Sequence, residues 1–264
     1  IRDSPGSAYA EECLLDTVND NQVTTGGTPD TDDGAVGTAG GGLACGQDAV
    51  AANDAVAIGE EANGAATGNV SIGGFSDATL ASSTAVGYFT QATGTNSTAI
   101  GRAAEALATD ATAVGQLSDA HGLRSTAVGQ NSDALANDTT ALGESAQASV
   151  LRNTAIGASS DAGTGSEATA VGFAANSDGA KSVAVGALAD ATGAGSTAVG
   201  ADGIDANTDG AQATANYATA IGSDSEATAA RSTATGFSAL AGGADSFAAG
   251  SNSSATAIGS VAVG

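Results

Sequence analysis

The chain has 264 residues, among them 39 glycines, with 3% aromatics, 13% charged residues and neither Met nor Trp. A compact globule relies on Leu, Ile, Phe and Met volume that is missing here, yet 42% apolar residues are too many for a disordered polar chain. Six Lys plus Arg against 29 Asp plus Glu give a net charge of −23, which opposes a nucleic-acid or anionic-membrane partner. The acidic excess serves solubility in screening salt or, on a sharper reading, the capture of cations. No apolar run approaches the ~18–20 residues of a membrane-spanning helix.

The chain starts at Ile1 without a visible signal segment, as a processed or excerpted chain would. Residues 1–42 form a non-repeating segment. Ser7 to Asp20 reads as a short helix capped by Ser7, or equally as a strand. Thr24 to Gly42 is rich in Gly, Thr and Asp and reads as a linker. With Tyr9, Cys13, Leu14, Leu15, Val18 and Val23, this segment is suited to cap the residues from 43 onward or to dock on a neighbour. Cys13 and Cys45 are the only cysteines. They allow one bridge in a secreted chain, or two unpaired small hydrophobes; the spacing does not decide.

From residue 43 to 264 a pentapeptide of the STAVG type recurs. Its closing glycines run from Gly46 to Gly264, sixteen in all, and twelve of the fifteen intervals are 14 residues, the others 13, 15 and 22. A fixed short period of this length means stacked repeats. Two residues before each glycine stands Ala, with Ser71 the one exception. Just before it stand Ile58, Ile72, Val86, Ile100, Val114, Val128, Leu142, Ile156, Val171, Val185, Val199, Ile221 and Val263, with Thr235 and Ala249 weakening the row late. Period-two alternation with β-branched residues and Gly in every unit means strand, not helix. Each unit holds two short strands and two tight turns, giving an all-β parallel roll of about fifteen coils stacked roughly 4.8 Å apart. Ala, Ser and Gly fill its thin interior, and Val and Ile point outward. An exposed stripe of that size is expected to pack against other copies, so these thirteen residues are the candidate oligomer interface. The reverse assignment, Val and Ile inside, is the alternative.

Four residues after the glycine lie Asp77, Glu105, Asp119, Asp133, Asp161, Asp190 and Glu226, an outer acidic ladder broken by Gln91, Gln147 and Asn176. Nine after it lie Arg124, Arg152, Lys181 and Arg231. These read as solvated faces that limit lateral aggregation, or as a cation-bridging or adhesive surface. The 22-residue interval carries an eight-residue insertion near 201–216, where Asp205, Asn207, Asp209 and Gly210 have the D-x-N-x-D-G spacing of half a calcium loop. The Glu expected at loop position twelve is replaced by Asn216. Calcium is thus the only cofactor in view, set against a solvated polar turn. His121 is the single histidine and stands without a nucleophilic motif, so the chain does not read as an enzyme. Asn69, Asn96, Asn137 and Asn252 match the glycosylation sequon, as chance allows in so Asn/Ser/Thr-rich a chain.

SVAVG at 182–186 and 260–264, STAVG at 83–87 and STAIG at 97–101, with SDA at 118–120, 132–134 and 160–162 and QATG at 91–94, resemble the head repeats of YadA-like trimeric autotransporter adhesins. The resemblance spans roughly 43–264. It implies a left-handed parallel β-roll, a homotrimer, display at a bacterial cell surface, and attachment to host matrix, other surfaces or other cells. Such proteins continue into a neck, a coiled-coil stalk and a membrane barrel. Here the repeat runs to Gly264, and an open last coil is a template for end-to-end self-association. The alternatives are a self-assembling subunit of an extracellular filament or matrix and a phage receptor-binding fibre. Ice binding is disfavoured because Thr alternates with Val and Phe. A hexapeptide acyltransferase is excluded by the period of 14.

Overall fold

The computed structural model describes the strand Leu14–Leu15, residues 35–37, residues 41–203 and residues 209–264. The chain is an all-β parallel β-solenoid of about 15 turns, with no helix among the described residues. It divides into two units, Ile1–Asp110 and Ala111–Gly264. Both are built on one plan.

In most coils a three-residue strand ends one residue before the repeat glycine and a two-residue strand begins four residues after it; after Gly172 and Gly186 the second strand is reduced to a single bridging residue, Asn176 and Asp190, and after Gly200 it falls at Gln212–Ala213. In the first unit the long strands run from Leu43–Cys45 to Thr98–Ile100 and the short ones from Val36–Gly37 to Glu105–Ala106. Their ladders are parallel and in register, for example Thr98 beside Thr84 and Gln91 beside Asp77. In the second unit the long strands run from Thr112–Val114 to Val261–Val263. There Thr126 stands beside Thr140 and Asp119 beside Asp133. The 15-residue interval keeps the ladder, Thr154 pairing with Thr169, because the extra residue is taken up in a turn.

The alternation follows from the pleat. Within Thr84–Val86, Thr98–Ile100 and Thr126–Val128 the middle Ala is buried and its neighbours are not. Ala85, Ala99, Ala127 and Ala155 are fully buried, as are Ala92, Ala106, Ala120 and Ala134 of the short strands. The interior is therefore lined by methyl groups from both strands, and the branched residues face out. The reverse assignment does not hold.

Both turns are closed by the same device. Ser160 donates its backbone N–H (3.3 Å) and its hydroxyl (2.9 Å) to the Gly157 carbonyl. Ser125 does the same to Gly122 at 3.1 and 2.6 Å. In each case the preceding residue is left-handed: Ser159 has φ 55 and Arg124 has φ 56. Left-handed residues that are not Gly cost about 1–2 kcal/mol each. They persist because the coil before holds them; the Ser159 N–H, for instance, donates to the Glu144 carbonyl at 2.8 Å. The repeat glycine answers a different demand. Gly115 has φ +141, and a Cβ there would lie 2.2 Å from the Gly129 carbonyl oxygen of the next coil.

At the amino-terminal end, Leu14–Leu15 (β1) pairs antiparallel with Leu43–Cys45 (β3), Leu14 opposite Ala44 and Leu15 opposite Leu43. A strand from the non-repeating segment thus covers the open edge of the first long strand, a standard way to blunt a sheet edge. Of the helix-or-strand segment Ser7–Asp20, only these two residues are described, and they form a strand. Val36–Gly37 (β2), ahead of the first repeat glycine, already pairs in parallel with Val50–Ala51.

Candidate interaction faces

The outward side of the long strands carries the row that precedes each glycine. In the first unit Ile72 and Ile100 are 37% and 40% exposed, with Ile58 and Val86 half-buried. In the second, Val128, Ile156 and Ile221 are 37–44% exposed, while Val114, Leu142, Val171, Val185 and Val199 are half-buried. Val263, in the last strand, is 76% exposed. Two positions earlier, Val56, Val70, Thr84, Thr98, Thr126 and Val183 share this side and are half-buried. The result is a flat apolar face in each unit, edged by Thr.

The short strands carry the acidic row. Asp77, Glu105, Asp119, Asp133, Asp161, Asp190 and Glu226 are all half-buried. Neighbouring amides share their burden: Asn63 donates to Asp77 at 3.0 Å and Asn176 to Asp190 at 3.1 Å. Burial still lifts the Asp77, Asp133, Asp161 and Asp190 carboxyls above the ordinary range, with His121 partly offsetting this at Asp133. His121 itself is half-buried beside this row.

The turn nine residues after the glycine holds acids as well as bases. In the second unit its successive occupants are Arg124, Asp138, Arg152, Glu167 (ten after Gly157, in the 15-residue interval) and Lys181. Arg124 bonds Asp138 at 2.7 Å, Arg152 bonds Glu167 at 2.7 Å, and Lys181 stands 4.0 Å from Glu167. Further on, Arg231 bonds Asp245 through two nitrogens at 2.6 and 2.8 Å. Sequence reading missed the alternation because it sorted the charges by sign; sorting by position in the coil reveals it.

Other features lie inside and at the corners. Asn153 is fully buried and donates to the Ala162 and Gly163 carbonyls at 2.6 and 3.2 Å, while accepting the Ala168 N–H at 3.0 Å. Asn69 plays the same part in the first unit, and its full burial removes that sequon from the surface. Phe75, Tyr88 and Phe89 stack at one corner of the first unit, with centroids 4.4–5.8 Å apart. Cys45 is disulfide-bonded; Cys13 lies outside the described residues. Asp205 and Asn207 also lie outside them, whereas Asp209 is exposed. No helix among the described residues is long and apolar enough to cross a membrane.

A crystal structure of the collagen-binding domain of the Yersinia adhesin YadA is 33% identical, over 52% of this chain and 69% of that one, with a TM-score of 0.42. No curated protein matches the chain. The family described as YadA head domain repeat matches residues 78–104, 92–118, 106–132, 120–146, 164–189, 178–202, 213–239 and 241–264. These matches cover more than half of the chain, in the register of its coils. The chain belongs to the YadA head-repeat family.

Proposed function

We propose that this chain is a non-enzymatic adhesin head, displayed at a bacterial cell surface as a homotrimer, that attaches to extracellular matrix, other surfaces or other cells. The observation that carries the reading is the apolar outward face of the long strands. Apart from Val263 in the last strand, each Val or Ile of this row is already half covered within its own chain, so burial between chains gains about 1 kcal/mol per side chain. Repeated over a dozen coils, that favours association of copies through this face. Recognition then falls to the polar turns and the short-strand side, which remain in water. Family membership supports the adhesin role and the surface location.

Light scattering on purified protein tests the assembly. A trimer at micromolar concentration is expected, and a monomer there sinks the proposal. Binding is tested by displaying the chain on a non-adherent bacterium and measuring retention on coated surfaces. Collagen, the ligand for which the Yersinia domain is named, is one arm; fibronectin, bare plastic and sister cells are the others. Retention on none of them overturns the adhesive role. Electron microscopy adds a further check, since discrete short particles are expected and long fibres with an axial repeat would indicate a filament subunit instead.

A further inference from the structure

We propose that Asp202 and Asp224, at the base of the insertion, form a divalent-cation site suited to calcium. The two residues occupy the same corner of successive coils, each two residues after a repeat glycine, Gly200 and Gly222. The Asp202 N–H keeps the ladder bond to the Ala187 carbonyl at 3.1 Å, and the Ala211 N–H closes the turn on Gly200 at 3.1 Å. Coil bonding is thus in place at Asp202 and again at Ala211, which makes the eight residues between them the additional ones. Strand spacing puts consecutive corners roughly 4.8 Å apart.

Asp224 is only 6% exposed. Every other described residue two places after a repeat glycine is half-exposed or exposed, from Asp48 to Asn252. One Asp224 oxygen, Oδ1, accepts the Gly203 N–H at 2.8 Å. The other, Oδ2, is buried without a hydrogen-bond partner, and so is Oδ1 of Asp202. Oδ2 points at the start of the insertion, since a Cβ on Gly203 would lie 2.1 Å from it. Two carboxylates on adjacent rungs repel, and a buried carboxylate oxygen without a donor is costly.

Elsewhere the chain relieves such rungs with a neighbour. Asn176 serves Asp190, and Arg152 serves Glu167. The nearest basic residues in sequence, Lys181 and Arg231, sit at the other turn and face Glu167 and Asp245. A divalent cation supplies what the two unpartnered oxygens lack. Hard carboxylate donors suit calcium, which accepts six to eight oxygens in flexible geometry. Asp205 and Asn207 are not needed for this site, and the proposal does not rest on the adhesive reading.

The test is calorimetric titration of the chelator-treated full chain with calcium chloride, and with magnesium chloride beside it, followed by thermal melts. Saturable binding of about one calcium per chain is expected, with Tm raised about 5–10 °C at a hundredfold excess over Kd. Asp224→Asn and Asp202→Asn should each weaken binding at least tenfold, whereas Asp77→Asn on the acidic row should not. Circular dichroism confirms that the variants fold; if Asp224→Asn does not, Asp202→Asn and the wild-type titration decide. Absence of saturable binding in the wild type overturns the proposal. So does wild-type affinity in both variants, or binding lost in Asp205→Asn but kept in Asp224→Asn.

Discussion

A single methyl group separates the repeat glycine from failure. At Gly115 the backbone turns with φ +141 and passes so near Gly129 that a Cβ would lie 2.2 Å from its carbonyl oxygen. Strain and collision add, so Gly115→Ala is expected to cost about 2–4 kcal/mol, read as a lowered urea midpoint. Asn153 tests the opposite principle, satisfaction rather than space. Its amide joins Ala162, Gly163 and Ala168 across the interior. Asn153→Ala leaves those groups buried without partners and should cost about 2–3 kcal/mol in the same measurement. The inward Ala residues follow the logic of the glycine, because Ala127→Val forces extra volume into a fully buried site.

At the scale of the coil, each turn is made by its own residues and held by its neighbour. The left-handed residue lends its N–H to the coil before, and its side chain is left in the row of the second turn. There the alternation of Arg124, Asp138, Arg152, Glu167 and Lys181 turns a column of charge into a column of pairs. Arg152→Glu would place three acids on consecutive rungs. The expected outcome is a lower Tm in dilute buffer that recovers toward wild type in 1 M salt, because the effect is screened repulsion between exposed groups. A Tm deficit that persists in salt would mean that Arg152 acts through packing instead.

For the molecule as a whole, charge and the apolar face make separate predictions. Burial raises the Asp77, Asp133, Asp161 and Asp190 carboxyls, so their folded forms hold protons more tightly than the unfolded chain. That contribution is complete below the unfolded carboxyl pKa and is lost as pH rises through the raised folded values. Asp138 and Asp245 run the other way, because hydrogen bonds from Arg124 and Arg231 hold them low. Their contribution is present above the unfolded pKa and lost as pH falls through the depressed values. Thermal melts should therefore show stability rising from pH 7 toward about pH 4 and falling below it. The apolar face is probed by Val128→Asp, which puts a charge into the contact between copies that we propose. It should shift light scattering from trimer to monomer while circular dichroism stays that of a β-solenoid.

The period of 14, the Ala two before the glycine and the branched residue beside it determined the coil and its two strands and favoured the side that faces inward, which the burial of the middle Ala then decided. They could do so because a pleat has a period of two and a stacked repeat copies each choice many times. Composition likewise carried the small interior, since mostly methyl and hydroxymethyl groups fill it, with Asn69 and Asn153 as the larger exceptions. The roles of single residues across coils were not legible. The bond from Asn153 to Ala168, the pairing of Arg152 with Glu167, the antiparallel seat of Leu14 and Leu15 on the first long strand, and the burial of Asp224 against Gly203 all join positions whose closeness depends on stacking. Sequence spacing names the rung, but the tertiary structure decides which side chains meet, because partners 14 or 22 residues apart become neighbours only once the coils are laid one upon another.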